Sequence, residues 1–164
     1  MSPRILVLGG ARSGKSRFAE SLLADHPAVD YVATAAARPD DAEWTHRIAE
    51  HRARRPAHWT TLETADLAGV LRRNGPAVLV DSVTLWVGRT HEDALDEQAD
   101  ELCAAWAETS RAAVLVSDEV GSGVVPATDS GRRFRDELGL LNQRLAATAD
   151  EVHLVVAGLP LRLR

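Results

Sequence analysis

The sequence predicts an α/β fold of three layers, a mostly parallel sheet with helices on both faces and an antiparallel edge strand. Two observations carry that prediction. Five short apolar runs, at 5–8, 30–34, 77–81, 113–117 and 151–156, alternate with stretches of helical periodicity. A glycine-rich turn of the form G-x-x-x-x-G-K-[ST], at 9–16, lies between the first run and the first helix, where a βα unit bends. The 164 residues, 45% of them hydrophobic, suit one domain, 1–164, with a good-sized core.

The turn comprises Gly9, Gly10, Ala11, Arg12, Ser13, Gly14, Lys15 and Ser16. Glycines at 9, 10 and 14 keep side chains away, so that backbone N–H groups converge on one concavity suited to a polyphosphate. The next helix adds the partial positive charge of its N-terminus. In this pattern Lys15 reaches the β- and γ-phosphates, and the Ser16 hydroxyl holds Mg²⁺ beside bound GTP or ATP. Lys15 is the only lysine among 19 Lys and Arg residues. An incidental lysine in a structural turn is the plainer alternative. The fold expected is therefore P-loop NTPase-like.

Composition narrows the partners. A net charge of −5 gives no general attraction to nucleic acid or an anionic membrane, so phosphate binding has to be local. A single cysteine, Cys103, excludes an intrachain disulfide and a multi-cysteine metal site. No stretch approaches the ~20 apolar residues of a membrane span, and the first apolar run is too short for a signal segment. A cytoplasmic enzyme is the expectation.

In chain order, the helix at 15–24 directs Phe18, Leu22 and Leu23 to a core and stops at Asp25-His26-Pro27. The strand at 30–34 ends beside the glycine turn, where Thr34, Ala35 and Ala36 would border a nucleotide. Asp40 or Asp41 caps a helix running to about Arg55, with Trp44, Ile48, His51 and Arg55 on one stripe. His46 lies ~140° around that helix from His51, at ~100° per residue. On pattern alone, His51 is a half-buried amphipathic histidine, and Arg47, Arg52, Arg54 and Arg55 are a solvated basic face. Beside a triphosphate, the same residues become a nucleophilic imidazole and charge-neutralising guanidiniums.

Residues 58–63 form a short strand or extended segment; His58 is a positioning or surface residue. Glu63 either accepts hydrogen bonds from guanine N1–H and the exocyclic amine or is an exposed loop carboxylate. A helix at 64–73 stops at Asn74-Gly75-Pro76. The strand at 77–81 ends in Asp81, which either holds Mg²⁺ or caps the next turn. Residues 82–93 read as irregular, with Trp86 and His91 exposed or half-exposed to a large substrate or a neighbouring subunit. The helix at 94–110 supplies Leu95, Leu102 and Trp106 to the core, with Cys103 beside them. Asp118 and Glu119 follow the strand at 113–117; they position an attacking hydroxyl or metal, or simply begin a loop. The segment 121–130 is a loop that closes over the site or lies on the surface. A helix at 131–148, built on Phe134, Leu138, Leu141 and Leu145, precedes the strand at 151–156, and 161–163 returns as the edge strand.

Five blocks resemble one family: GGARSGKSRFAE at the start, RIAEHRARRPAHW at 47–59 followed by Glu63, LVDSVTLW at 79–86, VSDEVGSGVVP at 116–126 and NQRLAATADEVHLVVAGLP at 142–160. Together they are similar to adenosylcobinamide kinase/adenosylcobinamide-phosphate guanylyltransferase. The resemblance implies phosphorylation of the aminopropanol hydroxyl of adenosylcobinamide, then attachment of GMP to that phosphate through a guanylyl-histidine, in cobalamin assembly. It places the histidine role on His51, by its spacing to Arg-Pro-x-x-Trp; some relatives have adjacent histidines where this chain has Glu50-His51. It places guanine-nucleotide contacts on 9–16, Thr34, Arg52, Ala53, Arg54, Arg55, Glu63 and Asp81. It also implies a homo-oligomer, a trimer in family members. Two other classes remain: a P-loop small-molecule kinase that forms no histidine adduct, and a nucleotide switch, although the chain lacks an N-K-x-D guanine motif.

Overall fold

The computed structural model describes residues 2–35 and 40–164, apart from the side chains of Trp44 and Arg47. The chain runs β1 (Arg4–Gly9), α1 (Lys15–Leu22), β2 (Val29–Ala33), α2 (Ala42–Arg54), β3 (Trp59–Glu63), α3 (Leu67–Arg72), β4 (Ala77–Asp81) and α4 (Val83–Arg89). It continues through α5 (Glu92–Glu108), β5 (Ala113–Asp118), α6 (Asp129–Thr148), β6 (Glu151–Val156) and β7 (Leu159–Arg162). One seven-stranded sheet results, in the order β3-β2-β4-β5-β1-β6-β7. Every pairing is parallel except β6 with β7.

The two faces of the sheet pack separately. Leu6, Val32, Val80 and Leu115 point to the layer of α3, α4, α5 and α6, where Trp106, Leu102, Leu138 and Leu145 complete the larger core. Val7, Tyr31, Leu79, Val114 and Val116 point the other way, against Ala19 and Leu23 at and just beyond α1. Period-two alternation along near-continuous apolar runs is what a sheet buried on both faces requires. The three-layer expectation therefore holds. So does the antiparallel edge strand: Ala157 and Gly158, both at positive φ (52° and 80°), make the tight turn that folds β7 back.

Two readings need correction. The stretch 82–93 is not irregular: Ser82 caps α4 by accepting from Leu85 N, and His91 caps α5 by accepting from Asp93 N. Val83, Thr84 and Val87 are β-branched and Gly88 is a poor helix former, so local propensity hides α4. Packing of Val83, Trp86 and Val87 into the larger core overrides it. Trp86 is accordingly buried rather than exposed, its Nε1 donating to Ala65 O at 2.8 Å. Residues 59–63 are a true strand, so the parallel strands number six and not five.

Arg111, buried just before β5, went unnoticed in the sequence. It donates to Pro76 O (2.7 Å), to Val70 O (2.8 Å) and to the Asp30 carboxylate. One side chain thus joins α3, the start of β4 and β2 at the edge opposite the glycine turn.

Candidate active site

Alternation along the parallel strands sends Tyr31, Asp81 and Asp118 to the α1 face, the last two at the carboxyl ends of β4 and β5. The turn 9–16 joins β1 to α1 on that same edge. Its glycines are not equivalent. A Cβ on Gly9 would lie 2.4 Å from Ser13 Oγ and 2.8 Å from Val155 O, and Gly14 sits at φ +91° with Gly158 Cα 3.2 Å from such an atom. At Gly10 a Cβ meets nothing within 4 Å, so steric demand falls on 9 and 14. Ser13 is buried, its carbonyl accepting from Gly158 N at 2.7 Å, which fastens the turn to the β6–β7 hairpin.

Lys15 donates to Gly10 O at 3.1 Å and pairs with Asp118 Oδ1 at 2.5 Å. Asp118 is itself held at both peptide ends. Its N–H donates to Thr84 Oγ1 at 2.7 Å, and its carbonyl accepts from Asn142 Nδ2 at 3.1 Å. The next residue, Glu119, donates its N–H to Gly9 O at 3.0 Å and accepts from Gly121 N at 2.7 Å, a structural role.

A second polar group forms two strands from β1. Asp81 Oδ2 accepts from the Tyr31 hydroxyl at 2.9 Å and lies 4.0 Å from His51 Nδ1. His51 Nδ1 also meets Arg54 Nη2 at 3.4 Å. Arg54 reaches Glu20 Oε1 on α1 at 3.6 Å, while Arg55 donates to Thr61 Oγ1 at 2.8 Å and stacks 3.7 Å over the Tyr31 ring. Burial raises the Tyr31 phenol well above its ordinary range, and the Asp81 charge adds to that. Burial likewise raises the Glu20 carboxyl, opposed by Arg54.

The structure brings together the turn, Asp81, His51, Arg54 and Arg55. It separates others. His46 lies on the outer face of α2, its side chain 75% exposed against 32% for His51, and pairs with Glu50 at 3.5 Å. Ala53 and His58 are exposed. Glu63, at the end of the outermost strand β3, pairs with Arg52 at 2.9 Å beside a cleft of about 530 Å³ lined by Thr61, Asp66 and Arg73. Thr34 is buried, its hydroxyl donating to Ser82 O (2.7 Å) and accepting from Ser82 N (2.8 Å). Its carbonyl accepts from Arg89. Ala35 follows, half-buried, and Ala36 lies outside the described residues. Tyr31, Glu20, Thr84 and Asn142 were missed in the sequence; the only available signal was that Tyr31, the chain's one tyrosine, interrupts an apolar strand.

For a divalent cation, the described residues contain no cluster of three or more His, Cys, Asp or Glu side chains. The one serine hydroxyl and one strand-end carboxylate expected from the sequence, Ser16 and Asp81, would be a sparse set. That suits Mg²⁺, which keeps most of its shell for water and phosphate oxygens. Among the described residues no helix is long and apolar enough to cross a membrane.

Comparisons with known proteins fit this geometry. In fold, the chain superposes on an ATPase from the type III secretion system of pathogenic bacteria (TM-score 0.57, 13% identity, 98% of this chain and 56% of that one). It also superposes on the VirB11 ATPase from the Brucella suis type IV secretion system (TM-score 0.51, 15% identity, 99% of this chain and 47% of that one). In sequence, it is 47% identical to the bifunctional adenosylcobalamin biosynthesis protein CobP of Pseudomonas aeruginosa, over 98% of this chain and 97% of that protein. It is 41% identical to the protein of the same description, CobU, of Salmonella typhimurium, over 98% and 99%. The model of the cobinamide kinase / cobinamide phosphate guanyltransferase family matches residues 5–163, and the chain belongs to that family.

Proposed function

We propose that this chain, as one nucleotide-binding catalytic domain, phosphorylates adenosylcobinamide at its aminopropanol hydroxyl. It then transfers GMP from GTP through a guanylyl-His51 intermediate to give adenosylcobinamide-GDP. Family membership supports the pair of reactions. One observation carries the histidine step: His51 reaches the sheet edge that carries the glycine turn, with Nδ1 4.0 Å from Asp81 Oδ2, whereas His46 faces solvent.

In the first reaction, amides of 9–16 and the Lys15 ammonium hold the β- and γ-phosphates, and Arg54 and Arg55 add positive charge. Mg²⁺, held by Ser16 and Asp81, supplies further charge neutralisation when bound. In the second reaction a neutral imidazole attacks the α-phosphorus and pyrophosphate leaves; the phosphoramidate then passes GMP to the phosphate of the corrinoid. The family resemblance extends the nucleotide site to the backbone at Thr34 and Ala35 and assigns Glu63 to the guanine edge. The family resemblance extends the proposal to a homo-oligomer, a trimer.

Intact-mass analysis after incubation with GTP and Mg²⁺ tests the intermediate. Native protein and His46→Ala gain one GMP moiety, and His51→Ala gains none. An adduct on the His51→Ala protein defeats the assignment, and no adduct on any of the three leaves a small-molecule kinase.

A further inference from the structure

The two reactions differ in what they ask of the protein. Attack by imidazole on the α-phosphorus needs no base, because a neutral ring nitrogen carries a free electron pair. Attack by an alcohol on the γ-phosphorus does generate a proton, which needs an acceptor at the reacting oxygen. Three strands end in a carboxylate on the α1 face, and Asp81 and Asp118 are nearer the turn than Glu63 on the outermost strand β3; these two have different neighbours. Asp81, on β4, lies beside His51 (4.0 Å) and Tyr31 (2.9 Å). Asp118, on β5 between β4 and β1, lies 2.5 Å from the ammonium of Lys15, the side chain that reaches the β- and γ-phosphates.

A carboxylate beside a triphosphate is ordinarily repelled. Here the Lys15 charge sits between the two and offsets that repulsion. The backbone of Asp118 is fixed by Thr84 and Asn142, which keeps its carboxylate beside Lys15. Its side chain is 23% exposed, open enough for an incoming hydroxyl.

We propose that Asp118 is the catalytic base of phosphoryl transfer alone, accepting the proton of the corrinoid's aminopropanol hydroxyl. The hydroxyl oxygen forms a bond to the γ-phosphorus as the bond to the β–γ bridging oxygen breaks. The electron pair stays on the nucleoside diphosphate, and the proton moves to the Asp118 carboxylate and then to water. Asp118 takes no part in guanylylation. The assignment deepens the two-reaction reading above and rests on its phosphoryl-transfer half.

Asp118→Asn, which keeps shape and removes the base, tests it in the full-length protein. Phosphoryl transfer from γ-labelled nucleotide to cobinamide falls about 10²-fold or more in kcat. In the same preparation, the rate of covalent labelling by α-labelled GTP falls at least about tenfold less than phosphoryl transfer does. Phosphoryl transfer within about threefold of the unmodified protein overturns the proposal, as does an equal fall in both reactions. Absence of α-label on the unmodified protein defeats the histidine intermediate instead; phosphoryl transfer and its KM-against-kcat split then decide Asp118, a fall in kcat supporting it and a rise in KM alone overturning it.

Discussion

Asp150, just before β6, accepts from Arg4 N (2.8 Å), Arg4 Nε (3.0 Å) and Arg4 Nη2 (3.0 Å), which pins the start of β1 to the start of β6. Those bonds hold its carboxyl down to about 2, with the side-chain hydrogen bond the largest cause. A carboxylate whose folded pKa is depressed contributes stability above its unfolded value near 3.9, and that contribution fades as pH falls toward 2. Asp150 is 43% exposed, so solvent screening limits the pair to about 1 kcal/mol. Urea titration of native and Asp150→Asn proteins checks this: the native protein is more stable at pH 7, and the two converge only as pH falls below about 2. The same scale shows what a sequence can reveal. Lys15 and Ser16 were legible because the motif fixes their spacing within one turn. The Tyr31–Asp81 contact joins positions 50 residues apart, and the Lys15–Asp118 pair joins the start of α1 to the end of β5; no local pattern encodes either.

Among elements, the strands were the most legible, since apolar runs bounded by turns need no partner to be seen. Helix α4 was not, because its stability lies in what Val83, Trp86 and Val87 touch. The stripe expected on helix α2 holds where it is described: Ile48, His51 and, just beyond the helix, Arg55 are half-buried while Arg52 and Arg54 are exposed, and the Trp44 side chain lies outside the described residues. Its basic last turn also suits the helix dipole. Arg111 holds elements together in a way composition cannot announce. Its side chain is 3% exposed and satisfied by two carbonyls and the Asp30 carboxylate. Removing it strands a largely buried carboxylate, so Arg111→Ala costs about 3–5 kcal/mol. Chemical denaturation then shows a lower midpoint, with the rate of GTP labelling unchanged well below that midpoint, because the cluster lies at the opposite sheet edge.

At the scale of the whole molecule, the proposed mechanism runs two chemistries on one phosphate-binding turn. The motif occurs once, and Lys15 is the chain's only lysine, so any triphosphate held in this way uses the same ammonium. The strand order places both proposed reacting groups on the same side of that turn: Asp118 on β5 beside β1, and His51 over Asp81 on β4, one strand further out. On the proposed mechanism, the phosphoryl donor and the GTP that guanylylates His51 therefore exclude each other. A non-hydrolysable ATP analogue that inhibits phosphoryl transfer inhibits covalent labelling by GTP competitively, with the same inhibition constant. At 100 times that constant and GTP below its own KM, labelling falls about 100-fold by mass action. Labelling at an undiminished rate under that analogue would require a second nucleotide site, and the single-turn arrangement would then be wrong.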